Sequence, residues 1–329
     1  MDRWGLILHD VDHTNKTDIS ITDTALEGIP IVGISEKAFF NDTQLTSLSL
    51  PSGITKVEDC AFEGASNLKE VTFGNKGEGL KQIGGMSFAD CSSLESIDLS
   101  NSNITEIPNK AFSGCTSLKS VKLPPTVTKI ANGAFSGCSK LEEIEGLSDC
   151  KISEIGSNAF SSCVRLKTLD LSSAALTTLP EKMCSGLTGL TGVRLPETVT
   201  ELGTEAFYNC KKLEEVQGLS SLASVGEKAF AYCSALKEMD LSKSSITTLP
   251  NAVFFQDSAL TDIKLPESLE TIGKETFFAC SSVKKMDLAD TKLTTIGDSA
   301  MSGMTSLMYL NLPDSVNSVG SNAFDLYSR

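Results

Sequence analysis

The pattern of LKSVKLPPTVTKIANGAFSGC, from Leu118 to Cys138, returns almost unchanged twice further along the chain. It returns as LTGVRLPETVTELGTEAFYNC from Leu190 and as LTDIKLPESLETIGKETFFAC from Leu260. In each copy, Leu-x-x-apolar-x-Leu-Pro leads into a second apolar pair, a small residue or Thr before Phe, and a Cys. A long pattern that recurs at a fixed interval indicates a repeat solenoid.

An anchor aromatic marks each coil of this repeat, at intervals of 23 to 26 residues. The anchors are Phe39, Phe62, Phe88, Phe112, Phe135, Phe160, Phe207, Phe230, Phe254, Phe277 and Phe324, with Cys184 and Met301 in the same series. This spacing predicts about twelve coils. Since a single coil cannot bury its own apolar side, stacking against neighbours must supply one continuous core.

Two extended segments and one turn are predicted within each coil. Leu118, Val121 and Leu123 approach the period-two spacing of a short strand that is buried on one side, and a proline ends it. A second, shorter strand holds Ile130. The spacing of Ala111 to Cys115 favours a short helical turn, and a Gly or Pro before the anchor is expected to re-aim the chain. The sequence thus predicts a horseshoe-like solenoid, α/β or mainly β, with a parallel sheet of short strands.

The N-terminal region differs from the repeats that follow it. Residues 1–34 precede the first clear coil, and residues 18–22 alternate like a strand before a turn at residues 27–28. We interpret 1–34 as a hairpin-like capping segment and 35–329 as the solenoid, with an incomplete last coil.

The charge and hydropathy pattern narrows the classes of partner. The formal net charge is −14, which argues against binding of nucleic acid or of an anionic membrane surface. The early apolar run from Trp4 to Leu8 is too short to span a membrane or to form a signal peptide. Either the chain is intracellular or a leader has been removed.

Most of the ten cysteines fall on one repeat position, three residues after the anchor. The cysteines in this position are Cys91, Cys115, Cys138, Cys163, Cys210, Cys233 and Cys280. Other coils place Ala65, Leu187 or Met304 there, which favours buried, reduced thiols over a disulfide ladder or a metal array. Cys150 falls in a connecting loop and is predicted to be the most exposed thiol.

No catalytic or cofactor-binding motif stands out. His9 and His13 could hold a metal ion if they lay on one helix, or they could be ordinary solvated residues. They are the chain's two histidines, and there is no nucleophile elbow or phosphate-binding loop. We therefore expect a protein that is not an enzyme, with no cofactor and no metal site.

The outward positions of the predicted strands form the candidate binding face. Acidic side chains dominate it, with basic residues interspersed, so that it is either a self-paired charge ladder or a surface for a basic partner. The candidate residues are Glu143, Glu145, Asp170, Arg194, Glu215, Glu238, Asp240, Asp262, Lys264 and Tyr309.

The run from Leu118 to Cys138, with its copies from Leu190 and Leu260, resembles the BspA-like leucine-rich repeats. Proteins of this kind are typical surface antigens and adhesins of host-associated bacteria and some parasitic protists. The resemblance spans about residues 30–329. It implies a binding or adhesive role at the cell surface or after secretion, with a protein partner such as a host matrix or surface protein, and no catalytic residues. The alternative is an intracellular structural or assembly scaffold built on the same repeats.

Overall fold

Short parallel strands build almost the whole molecule. The computed structural model describes residues 6–9, 16–22, 29–74 and 79–325, and the chain divides into two compact units, Met1–Leu166 and Lys167–Arg329. Each unit is a solenoid with parallel strands, about twelve turns in all, as the repeat predicts. Among the described residues, the helical content is one short 3-10 turn, Leu147–Asp149, so the mainly β form of the prediction is confirmed.

The first unit contains two sets of strands. The main set is β2 (Asp18–Ser20), β4 (Ser47–Leu50), β6 (Glu70–Phe73), β8 (Ser96–Asp98), β10 (Ser120–Lys122) and β12 (Glu143–Glu145). The minor set is β1 (Leu6–Leu8), β3 (Ile31–Ile34), β5 (Lys56–Val57), β7 (Gln82–Ile83), β9 (Glu106–Ile107), β11 (Lys129–Ile130) and β13 (Glu154–Ile155). Pairing runs from coil to coil, as in β8-β10-β12 and β9-β11-β13.

The second unit repeats this plan. Its main set is β14 (Thr168–Asp170), β16 (Gly192–Arg194), β18 (Glu215–Gln217), β20 (Glu238–Asp240), β22 (Asp262–Lys264), β24 (Lys285–Asp287) and β26 (Tyr309–Asn311). Its minor set is β15 (Thr178–Leu179), β17 (Glu201–Leu202), β19 (Ser224–Val225), β21 (Thr248–Leu249), β23 (Thr271–Ile272), β25 (Thr295–Ile296) and β27 (Ser318–Val319).

The N-terminal strands belong to these same sets. β1 pairs in parallel with β3, and β2 pairs in parallel with β4. The hairpin-like arrangement expected for this region is therefore wrong for the described strands, because a hairpin would pair them antiparallel to a sequence neighbour. The division into a cap at 1–34 and a solenoid at 35–329 remains a prediction.

The anchor aromatics form a stack in the core of each unit. In the first unit, rings from Phe39 to Phe160 succeed one another with centroids 5.0–5.8 Å apart and planes within 12°. In the second unit, Phe207 to Phe277 are 5.4–5.6 Å apart. These rings are almost fully buried, whereas Phe324 is 37% exposed. Coil-to-coil stacking is thus the source of the core, as the repeat predicts.

The segment around each anchor is a series of turns and not the expected helical turn. Lys110 and Gly114, on either side of Phe112, have φ of 52° and 74°, and left-handed residues interrupt an α-helix. Alternate amides bond to the next coil instead: the N–H of Phe112 donates to the carbonyl oxygen of Ala134 at 2.9 Å. This pattern uses the backbone to tie neighbouring coils together.

The glycine before the anchor lets the backbones of two neighbouring coils approach closely. A Cβ at Gly226 would lie 2.3 Å from the backbone nitrogen of Thr204 in the preceding coil. Close approach of two backbones is therefore what excludes a side chain at this position.

The cysteine column is buried and reduced, as predicted. Each thiol donates to a main-chain carbonyl of the preceding coil, usually that of the anchor: Cys115 to Phe88 at 3.0 Å, and Cys280 to Phe254 at 3.0 Å. The prediction for Cys150 is wrong. It is 1% exposed, because it closes the 3-10 turn and its thiol donates to the carbonyl oxygen of Gly146 at 3.2 Å.

Candidate functional site

The outward positions of the main strands carry the candidate residues. In the first unit, Glu143 and Glu145 flank the buried Ile144 on β12. In the second unit, the other candidates occupy the ends of three-residue strands whose middle residue points inward. They are Asp170, Arg194, Glu215, Glu238, Asp240, Asp262, Lys264 and Tyr309. The alternation was expected, since successive side chains of a strand point to opposite faces.

Strand register brings several of these residues into pairs. Lys122 opposes Glu145 in the first unit, with the two charged groups 3.1 Å apart. In the second unit, Asp170 opposes Arg194 at 3.8 Å, and Asp240 contacts Lys264 at 3.3 Å. All of these side chains are well exposed, so each pair contributes little to stability. Opposite charges are thus interspersed along these strands.

The Asp-Leu-Ser tripeptides explain two of the acidic candidates. The carboxylate of Asp170 accepts hydrogen bonds from the hydroxyl and N–H of Ser172 at 2.6 and 3.0 Å. Asp240 is held in the same way by Ser242. These bonds lower the pKa of both carboxyls, and Lys264 adds to the effect at Asp240. Both aspartates therefore close the turn after their strand, which is a structural task.

Two acidic candidates face each other without a cation between them. Glu238 on β20 and Asp262 on β22 are direct register partners, and both are exposed. Neither forms an ion pair with another described residue. Like charges directly opposite each other on neighbouring strands are unfavourable, so packing does not account for this pair.

The two remaining candidates in the second unit each have a single side-chain contact. Glu215 on β18 accepts a hydrogen bond from Gln217 at 2.7 Å. Tyr309 on β26 is 46% exposed, and the ammonium group of Lys285 lies 4.9 Å from the centre of its ring. That cation–π contact fixes the ring at the surface.

Sequence reasoning missed Asp257, which replaces a thiol in the cysteine column. Its Oδ1 accepts the backbone N–H of Cys233 at 2.7 Å, while Oδ2 is buried and has no partner. Burial raises the pKa of this carboxyl well above its ordinary value. The sequence does indicate this burial, because Asp257 stands three residues after the anchor Phe254, at the repeat position that the buried cysteines occupy in other coils.

The other sequence alternatives concern metals and membranes. His9 is exposed, and His13 lies outside the described residues. Within the described part of the chain, no group of three or more His, Cys, Asp or Glu side chains is placed to hold a metal ion. No helix formed by the described residues is long and apolar enough to cross a bilayer.

The sequence matches the BspA type leucine-rich repeat region (6 copies) over residues 32–166, 105–237 and 201–329. The chain therefore belongs to the BspA-type leucine-rich repeat family. This is a scaffold family, and the match indicates no catalytic family. Leucine-rich repeat proteins commonly bind other proteins.

Solved structures share this fold. The chain is 28% identical to a leucine-rich repeat protein from Bacteroides ovatus, over 94% of this chain and 84% of that one, with a TM-score of 0.67. It has the fold of a leucine-rich repeat protein from Eubacterium ventriosum, at 22% identity over 97% and 87% of the two chains, with a TM-score of 0.56. No curated protein matches the chain.

Proposed function

We propose that this protein is a non-enzymatic protein-binding module that recognises a basic partner through the outward face of the main strands in its second unit. The observation that carries the proposal is the uncompensated pair Glu238 and Asp262. A charge arrangement that weakens strand pairing is tolerated where the charges serve recognition.

The surroundings of this pair suit a protein surface. Glu215 adds a third carboxylate at the equivalent position of its own strand, and the ring of Tyr309 supplies an exposed aromatic group. Aromatic residues are enriched among those that dominate binding energy. Arg194 and Lys264 pair with aspartates, which leaves the glutamates and Asp262 to attract a partner.

We further propose that the module acts at the cell surface or after secretion, in adhesion to host matrix or surface proteins. The support is its membership of the BspA-type family. Long-range attraction between an acidic chain and a basic partner would raise the association rate.

Binding of the purified chain to an immobilised panel of extracellular-matrix proteins tests the proposal. We expect saturable binding to a basic protein or basic domain, weakening as the salt concentration rises. The heat-denatured chain is the control for charge alone. Binding that is unchanged by salt, or equal for the denatured chain, would reject recognition by this face.

A further inference from the structure

A row of aromatic side chains lies on the surface of the second unit, outside the main strands that carry the candidate residues. This aromatic row consists of Tyr208, Tyr232, Phe255 and Phe278. Ring centroids are 5.4 Å apart for the first two pairs, at interplanar angles of 79° and 60°, and 5.0 Å apart for Phe255 and Phe278, which are stacked. All four are half-buried, so they are distinct from the buried anchor stack.

The repeat itself does not require this row. Tyr208, Phe255 and Phe278 directly follow an anchor, and Tyr232 comes one residue later, after Ala231. Apart from Phe40, the position after the anchor in the first unit holds charged, small or hydroxyl residues: Glu63, Ala89, Ser113, Ser136 and Ser161. The coils therefore stack without an aromatic residue here, and the row needs another explanation.

Tyr232 occupies a backbone position that disfavours its side chain. Its φ is 64°, in the left-handed region where a bulky residue is an outlier. The other coils fill the same position mostly with glycine or small and polar residues: Asn41, Gly64, Asp90, Gly114, Gly137, Ser162, Gly186, Asn209, Gln256, Ala279 and Gly303. An unfavourable conformation at a surface position is a pointer to function.

Tyr232 also lines two open cavities. One, of about 220 Å³, is lined by Tyr208, Tyr232 and Phe255 together with the oppositely charged Lys228 and Glu275. The other, of about 470 Å³, is lined by Gln256, Lys211 and a serine from each of three coils. Those serines are Ser234, Ser258 and Ser281.

The larger cavity differs in charge from the rest of the protein. No carboxylate lines it, although the chain carries a net charge of −14. Lys211 is exposed, and no acidic side chain of the described parts of the chain lies within ion-pair distance of it. A negatively charged group on a ligand would therefore find a cation here that has no other partner.

We propose that the aromatic row and this cavity bind a glycan that contains an acidic sugar. A sugar ring has an apolar C–H face that packs on an aromatic ring, and its hydroxyls match serine hydroxyls and an amide that can both donate and accept. Lys211 pairs with the carboxylate or sulfate of the acidic sugar. A polysaccharide is itself periodic, as are the serine positions of successive coils.

An oligosaccharide array followed by calorimetry tests the proposal with the intact chain. The array holds neutral, carboxylated and sulfated oligosaccharides. Comparing the carboxylated with the sulfated members shows which acidic group the protein recognises. We expect binding to one acidic arm, at least tenfold weaker for Tyr232→Asn and for Lys211→Gln. Because Asn209 occupies the same repeat position, Tyr232→Asn is expected to fold normally, and circular dichroism with thermal melting checks this.

Lys140→Gln, which removes one exposed positive charge in the first unit, is the matched control for Lys211→Gln and should bind the glycan like the parent chain. No glycan bound, binding to neutral sugars alone, or equal affinity for the folded Tyr232→Asn variant would each overturn the proposal. The proposal would also be overturned if a basic protein partner protected the aromatic row from solvent and no oligosaccharide did so.

Discussion

Glu238 and Asp262 stand directly opposite each other on neighbouring parallel strands, and neither carboxylate has a cationic partner among the described residues. Two residues further along the same strands, Asp240 and Lys264 form the opposite arrangement, with their charged groups 3.3 Å apart. One strand pair therefore contains both an unfavourable and a favourable charge pair. This contrast separates charges that the fold uses from charges that it only tolerates.

Removing one of the two opposed acids should stabilise the second unit. We expect Asp262→Asn to raise the free energy of unfolding by about 0.2–1 kcal/mol at low salt, because it removes the repulsion from Glu238. Urea unfolding at low and high salt measures the change, and the gain should shrink at high salt. The matched variant Lys264→Gln should have the opposite sign. A loss of stability in Asp262→Asn would contradict the repulsion argument.

Truncating an anchor inside the ring stack should be severe. Phe112 is fully buried between Phe88 and Phe135, so Phe112→Ala should cost about 3–5 kcal/mol. Phe324 is 37% exposed, and Phe324→Ala should cost far less. Chemical unfolding of both variants makes the comparison, and equal losses would mean that stacking between coils is not the source of stability.

The buried Asp257 should make stability fall as the pH rises. Its folded-state pKa lies well above the ordinary value because of burial, whereas the unfolded carboxyl titrates near about 3.9. The folded chain therefore binds more protons, so the free energy of unfolding decreases from about pH 4 up to the raised pKa, by at most about 1.4 kcal/mol per pH unit. The thiols of Cys233 and Cys280 are the ionisable groups that face it.

The variants Asp257→Asn and Asp257→Cys test this pH dependence. Neither replacement carries a carboxyl group that would lose a proton as the pH rises from about 4. In the equivalent position, Cys233 donates to the carbonyl oxygen of Phe207, so a thiol at 257 has the Phe230 carbonyl as its acceptor. Both variants should gain stability relative to the parent as the pH rises. Parallel curves of unfolding free energy against pH for parent and variants would refute a neutral buried acid.

Cys60 should be the first cysteine to react in the native protein. It is the one cysteine that is not fully buried, and burial, followed by the neighbouring Glu63, raises its pKa to about 11. Because the thiolate is the reactive form, labelling should be slow near neutral pH and speed up as the pH rises. Mass spectrometry after timed alkylation follows this, and denaturant should expose all ten thiols. Faster reaction at Cys150 would contradict the structure.

The sequence predicts the coils, the anchor stack and the outward strand positions because each follows from a short periodic pattern. Cys150 could not be placed, since its burial depends on a turn that begins at Gly146 with φ of 82°. The helical turn was wrong for a similar reason: left-handed residues such as Lys110 give no clear signal in the sequence. Pairing of Asp240 was foreseeable from register, but its hydrogen bonds with Ser242 required the structure.

Charge reversal on the outward face is the decisive test of recognition by its acidic side chains. The variant carries Glu215→Lys, Glu238→Lys and Asp262→Lys together, and leaves Asp240 in place because its carboxylate closes a turn. The affinity for a basic matrix protein that binds the parent chain is measured by surface plasmon resonance across a range of salt concentrations. If the account is right, the folded triple variant loses at least tenfold in affinity and most of the salt dependence. Unchanged affinity and unchanged salt dependence in that folded variant would contradict recognition by this acidic face.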